Sequence, residues 1–312
     1  MKDPAIRAGA WRGISRYRID RGEIEAALDA LQTVVETGDP DETPRALRNI
    51  GAFREDFGDV DGARAAYLEA IAHDHPKHSQ GARVNLAQLY DKEGDHAGAA
   101  GLFREVIDSG HPAEAPRARV LLGQMLQERG DVAQALEWFE SAILDEDSEW
   151  TQRAAFNAGA IYLMERGEFD QAVEAFRIGE RLDEIPQSWV ASYFRGEAER
   201  QRGNDEGALD AYIRVVEADG AGAEPVRFAA AKQAGVIQLR RERYGEARAL
   251  FIVAASTEHP EERARGLLLL GTCERFLVNR EAAIAAFEQA ASIPSAPDDI
   301  RGLAQQALSE LR

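Results

Sequence analysis

The sequence predicts an all-α solenoid built from stacked helical hairpins, and two observations carry that expectation. A small residue returns eight times, at Ser15, Gly51, Ala87, Gly123, Ala160, Gly196, Gly235 and Gly271, at intervals of 36, 36, 36, 37, 36, 39 and 36 residues. Twelve residues after each one stands an alanine, four further on a large side chain, and three beyond that another small or apolar residue. Spacings of four and three put this trio on one helical stripe. A repeat of this length marks arrays whose units bury their apolar faces only against their neighbours.

Each unit divides into two helices. The alanines are Ala27, Ala63, Ala99, Ala135, Ala172, Ala208, Ala247 and Ala283, and the large residues are Leu31, Tyr67, Phe103, Phe139, Phe176, Tyr212, Phe251 and Phe287. They mark the second helix, and the rings are expected to fill space between units. In six units a glycine followed by a polar residue lies between the halves, as in Gly58-Asp59, Gly94-Asp95 and Gly203-Asn204. Glycine suits the left-handed end of the first helix, and Asp or Asn accepts bonds from free amides opening the second. Units seven and eight carry Glu242 and Val278 instead. The expected unit boundaries are 8–43, 44–79, 80–115, 116–152, 153–188, 189–227, 228–263 and 264–297. Residues 298–312 then form a C-terminal capping helix with Asp298 and Asp299 as candidate N-caps and Ile300, Ala304, Ala307 and Leu308 on its apolar face.

Composition excludes several classes. With 55 acidic against 37 basic residues the formal charge is -18, so nucleic acid and anionic membrane are unexpected as general partners, although a local basic patch is compatible with this total. No apolar run reaches the roughly 18 residues of a membrane span. A lone cysteine, Cys273, forms no internal disulfide, and the opening MKDPAIRAGAWRG lacks the apolar stretch of a signal peptide, so a cytoplasmic location is expected. Four lysines against 33 arginines suggest a GC-rich, bacterial source.

On Trp11, the Gly/Ala anchors, the Gly-Asp turns, the invariant alanine and the Phe/Tyr position, the chain resembles the tetratricopeptide repeat family over about residues 8–297. A Sel1-like repeat has a similar period and implies nearly the same helices. The resemblance implies a right-handed superhelix with the first helix of each unit lining a concave groove.

No GxxxxGK[ST] or GxGxxG segment is present. His73, His75 and His78 cluster in HDHPKH, where complementing the dipole at a helix C-terminus outweighs a metal site. Asp145, Glu146, Asp147 and Glu149 lack the glycine and glutamate of a calcium loop. Cys273 reads as a structural thiol. No catalytic set, cofactor or metal site is expected.

By the family's pattern, groove positions lie six and three residues before the anchor and one and four after it. The N-terminal half then offers Arg12, Arg16, Arg45, Arg48 and Arg117, with Asn49 and Asn85 two residues before their anchors. Guanidinium forks suit carboxylates, which points to an acidic segment or a C-terminal carboxylate; the alternative is a solvated arginine face paired with its own carboxylates. Chaperone-binding members clamp a C-terminal carboxylate with a Lys-Asn-Asn-Lys-Arg set. Arg48, Asn85 and Arg117 occupy three of those five positions, but Ala52 and Leu121 occupy the others. The C-terminal half offers Ile161, Met164, Tyr193, Val236, Leu239 and Leu268, read either as an apolar groove or as packing between repeats. The expected function is a non-enzymatic scaffold or adaptor for a protein or peptide. A receptor for a small ligand or signalling peptide is the second reading, an enzyme on a helical-repeat scaffold the third, and a homo-oligomer is compatible with each.

Overall fold

The structure, a computed structural model, describes residues 23–144, 149–181, 186–218 and 223–311. Among them are sixteen α-helices, one π turn and no strand. The chain forms two compact units, Met1–Glu146 and Asp147–Arg312. The first contains α1 (Ile24–Glu36), α2 (Glu42–Asp56), α3 (Val60–Ala72), α4 (His78–Lys92), α5 (His96–Asp108), α6 (Glu114–Glu128) and α7 (Val132–Ile143). The second contains α8 (Glu149–Ile161), the π turn (Tyr162–Arg166), α9 (Phe169–Gly179), α10 (Pro186–Gln201) and α11 (Asp205–Glu217). It continues through α12 (Glu224–Arg240), α13 (Tyr244–Ala255), α14 (Pro260–Phe276), α15 (Arg280–Ser292) and α16 (Asp298–Leu311). The helix expected before α1, with Trp11, Arg12, Ser15 and Arg16, lies outside the described residues, as do Asp145, Glu146 and Asp147.

Helices pair as the period requires: α2 with α3, α4 with α5, α6 with α7 in the first unit, and α8 with α9 through α14 with α15 in the second. All eight alanines of the repeat are fully buried, and so are the eight large residues. The rings do more than fill space between units. In six hairpins the ring lies over a glycine of the first helix: a Cβ on Gly123 would sit 2.6 Å from Cε1 of Phe139, and one on Gly271 2.6 Å from Cε1 of Phe287. The same rings then meet the following unit, as Tyr67 meets Leu86 and Leu89. Small anchors thus let the two helices approach until a ring can bridge them and reach the next hairpin.

The turn between helices is set by left-handed residues. Gly58, Gly94, Gly130, Gly167 and Gly203 have φ between 65° and 85°, and the next residue's N–H returns to a carbonyl near the end of the first helix, as Asp59 does to Arg54 at 2.8 Å. Asp59 and Asp95 then accept from the amides of Gly62 and Gly98, each at 2.9 Å, and Asn204 from Gly207 at 3.2 Å; Asp131 and Glu168 make no side-chain cap. Glu242 and Val278 hold the same left-handed conformation without glycine, at φ 60° and 58°.

Unit five departs from the expected register. Phe176 covers Gly159 rather than Ala160, and Gly159 is the buried residue of the pair. The interval of 37 is therefore absorbed after the anchor, in the π turn, where Glu168 N–H reaches back to Tyr162 O instead of one residue less. A π turn is how a helix accommodates one inserted residue without losing its buried stripe.

Sequence reading also missed a cap between hairpins. Asp39, His75 and His111, spaced 36 residues apart, each accept two amides of the next first helix. His75 therefore serves a helix N-terminus, not the C-terminal dipole expected of its cluster. At the end of the chain, α16 packs on both α14 and α15, with Ile300, Ala304, Ala307 and Leu308 buried and Gln305 and Gln306 exposed. Asp298 and Asp299 lie in its first turn, where they complement the dipole rather than capping it. No helix among the described residues is long and apolar enough to cross a membrane.

Two substitutions of glycine by alanine should move stability in opposite directions. Gly101→Ala, where a Cβ meets nothing within 4 Å on α5, should stabilise by about 0.5–1 kcal/mol through helix propensity. Gly123→Ala should destabilise by about 1–3 kcal/mol because Phe139 has to move. Chemical denaturation of both variants checks the pair, and equal shifts would refute the ring-on-glycine packing. Val278→Gly should stabilise by about 1 kcal/mol by removing a β-branched side chain from left-handed backbone; an unchanged or lower denaturation midpoint would show that the turn carries no strain.

Candidate functional site

In the first unit the first helices α2, α4 and α6 touch in succession and present one continuous face. Arg45, Arg48 and Asn49 come from α2, Asn85 from α4 and Arg117 from α6, all partly exposed. Arg117 bridges two helices: its Nη2 donates to Asn85 Oδ1 at 3.1 Å and to Gln88 Oε1 at 3.0 Å, while Nη1 lies 3.3 Å from Glu114 Oε2. Arg45 is 3.8 Å from Glu42. Glu55, a neighbouring carboxylate on α2, is occupied by Lys92 Nζ at 2.6 Å and the Tyr67 hydroxyl at 2.9 Å.

Arg48 differs from both. Among the described residues it makes no hydrogen bond and no ion pair. Its guanidinium lies against α4 at Gly81, with Nη1 only 2.6 Å from where a Cβ would stand, and Glu114 Oε1 is 3.1 Å from that same point. Burial holds its pKa below the usual guanidinium range; Glu114 opposes the shift, and Arg117 and Arg45 reinforce it. A partly desolvated cation without a bonded anion is an unsatisfied group, and such groups cluster where ligands bind.

His78 forms the wall beside this arginine. Its ring stacks on His75 with centroids 4.6 Å apart, and its Nδ1 is buried without a partner. Burial, then His75, Arg48 and Arg45, push its pKa down to about 4, so the ring is neutral at pH 7. His75 Nε2 meets Asp41 Oδ1 at 3.0 Å. Among the described residues no group of three His, Cys, Asp or Glu side chains is arranged to hold a metal ion.

In the second unit, the six positions read either as an apolar groove or as packing between repeats differ from one another. Ile161 is 0% exposed: once Gly159 is recognised as the anchor, Ile161 takes the core position of Leu89, Met125 and Ile237, two residues past it. Met164 is 63% exposed but belongs to the π turn, outside the regular helical register. Tyr193 packs on Phe194 and Tyr212, and burial raises its pKa. Val236 and Leu239 pack against the Ala247–Phe251–Cys273 cluster and Leu268 against the C-terminal cluster, so these three are largely packing between repeats. Charged pairs separate them, including Lys232 with Glu262 at 3.0 Å and Arg200 with Glu197 at 2.8 Å. Cys273 is fully buried with its thiol donating to Tyr244 O at 3.2 Å, and burial pushes its pKa up.

Because His78 titrates lower when folded than its ordinary value near 6.5, folding is favoured above that pH and loses this contribution as pH falls toward 4. The melting temperature should therefore drop more steeply between pH 7 and pH 4.5 in the natural chain than in His78→Gln; parallel profiles would contradict the buried neutral ring.

The family profile described as tetratricopeptide repeat matches residues 13–79, 84–149 and 157–224, more than half of the chain. No curated protein matches. Among solved structures, the chain is similar to YrrB, described as a TPR protein with an unusual peptide-binding site, at 20% identity and a TM-score of 0.51, covering 67% of this chain and 99% of that one. It is similar to the C-terminal part of a TPR repeat-containing protein from Cytophaga hutchinsonii at 13% identity and a TM-score of 0.58, covering 83% and 98%. For Pseudomonas aeruginosa pilF the values are 15%, 0.50, 75% and 99%. These likenesses show a shared fold, and with the profile match and the buried glycine, alanine and ring positions they place the chain in the tetratricopeptide repeat family, whose members are in general protein-interaction scaffolds.

Proposed function

We propose that the chain is a non-enzymatic scaffold that captures an acidic segment of a protein or peptide on the α2–α4–α6 face, anchored by Arg48. The observation that carries this reading is the unpaired, partly buried guanidinium on a face whose other described arginines already have carboxylates. Gly81 supports it by leaving room for Arg48 to lie against α4, and Arg45 and Arg117 add positive potential nearby. A carboxylate arriving from outside satisfies the guanidinium through paired N–H donors, in a site already partly dry. Arg12 and Arg16, expected at groove positions from the repeat pattern, lie outside the described residues. YrrB, which shares the fold, is described as binding peptide, in line with a peptide-sized partner here. Asn49, partly exposed next to Arg48 on α2, supplies a neutral hydrogen-bonding group suited to peptide backbone, while Asn85 Oδ1 already accepts from Arg117.

The test is fluorescence anisotropy with a panel of acidic peptides, free and amidated at the C-terminus, against the natural chain, Arg48→Lys and Arg48→Met. Losing a charge-assisted bidentate contact worth about 1.5–3 kcal/mol should weaken binding by about tenfold or more, with lysine restoring it only in part. Arg48→Met should at the same time keep or raise the melting temperature, because a desolvated cation has been removed. Unchanged affinity in Arg48→Met would overturn the proposal; lower stability would mark Arg48 as structural.

A further inference from the structure

The turns of the last two hairpins carry an exposed apolar edge. Tyr244 stacks on Phe276 with centroids 5.1 Å apart, and Leu277 and Val278 follow Phe276 into solvent, Val278 being 88% exposed. The residue that projects farthest thus stands where five other hairpins have a left-handed glycine, in a conformation that is costly for valine. Arg240 and Arg243 flank this edge on the neighbouring turn, both exposed, and among the described residues neither has an ion pair. Glu242, exposed in the turn between them, offsets one of the two charges, so in a chain of net charge -18 the tip is apolar with a local excess of one positive charge.

The first unit carries a counterpart. Ile24 and Leu28 of α1 with Phe53 and Phe57 at the end of α2 line an open cavity of about 830 Å³, where Phe57 is 63% exposed; Glu23, Arg54 and Asp59 also line it, and Arg54 lies 3.7 Å from Asp59. Glu25 and Asp29 stand on its rim, both exposed, and among the described residues neither carboxylate has an ion pair. One patch is convex, apolar and flanked by two free guanidiniums; the other is concave, apolar and flanked by two free carboxylates.

We propose that the Phe276–Val278 tip of one copy of this chain docks in the α1–α2 cavity of a second copy, with Arg240 and Arg243 opposite Glu25 and Asp29. Charge complementarity selects the occupant. The chain's net charge opposes association of like copies, so contact occurs where the local sign reverses. The two patches are different surfaces, so the contact is heterologous and builds a head-to-tail series rather than a closed two-fold dimer, unless a ring closes. Its α2 contacts are at the C-terminal end, Phe53 to Phe57, and Arg45, Arg48 and Arg117 do not line the cavity, so it does not depend on the peptide-binding reading.

Sedimentation velocity from about 1 to 200 µM tests this with substitutions at exposed positions only. The natural chain should grow in mass with concentration from its 34.3 kDa monomer. Val278→Asp, which blocks the tip, and Phe57→Asp, which blocks the cavity, should each stay monomeric with unchanged helicity. An equimolar mixture of the two should form dimers and stop there, because one free tip and one free cavity remain. A monomeric natural chain, association that survives both substitutions, or no dimer in the mixture would overturn the proposal. So would a monomeric chain that binds phosphatidylglycerol vesicles through Val278, which would assign the tip to lipid.

Discussion

The structure depends on one steric constraint, the seating of a large side chain over an anchor that lacks or nearly lacks a Cβ. In five of the described hairpins Tyr67, Phe139, Tyr212, Phe251 and Phe287 lie where a Cβ on Gly51, Gly123, Gly196, Gly235 and Gly271 would collide with them. Phe176 does the same over Gly159. That contact fixes how closely two helices pair, and the ring's far edge reaches the next hairpin, so the same atoms set both the hairpin and its stacking. Whatever the first helices display on their other side is then held at a fixed spacing by the core beneath it.

Nearly all of this packing was legible in the sequence because the constraint repeats. Eight alanines and eight large residues at a shared interval identify the buried stripe without reference to any tertiary contact. Legibility failed where the interval changed. An interval of 37 can be absorbed before or after the anchor, and only the backbone reveals that a π turn at Tyr162–Arg166 takes it afterwards, returning Ile161 to the core. The caps at Asp39, His75 and His111 were visible as a 36-residue series, but Asp and His at equivalent positions look unrelated until their shared role as acceptors for two amides is known.

The candidate site was legible as residue types and positions, but not as an electrostatic surface. Sequence places Arg45, Arg48 and Arg117 on one face equally. Their difference arises from residues 3 to 33 positions away: Glu42 sits near Arg45, Asn85, Gln88 and Glu114 hold Arg117, and Gly81 makes room for Arg48 without supplying an anion. In the second unit, charges such as Lys232 and Glu262 pair between helices and divide what reads as an apolar series along the chain. Side-chain identity set the chemistry available, and distances across helices decided which of it stayed unsatisfied.

The central claim is that an acidic ligand binds where a desolvated guanidinium lacks its own anion. Hydrogen–deuterium exchange, followed by mass spectrometry with and without a saturating acidic peptide, tests it most directly because it locates binding without altering the protein. The account predicts slower exchange in α2, α4 and α6, centred on the segments holding Arg48 and Gly81, with the α12–α15 turns unchanged. Protection confined to the second unit, or to the turns alone, would contradict it.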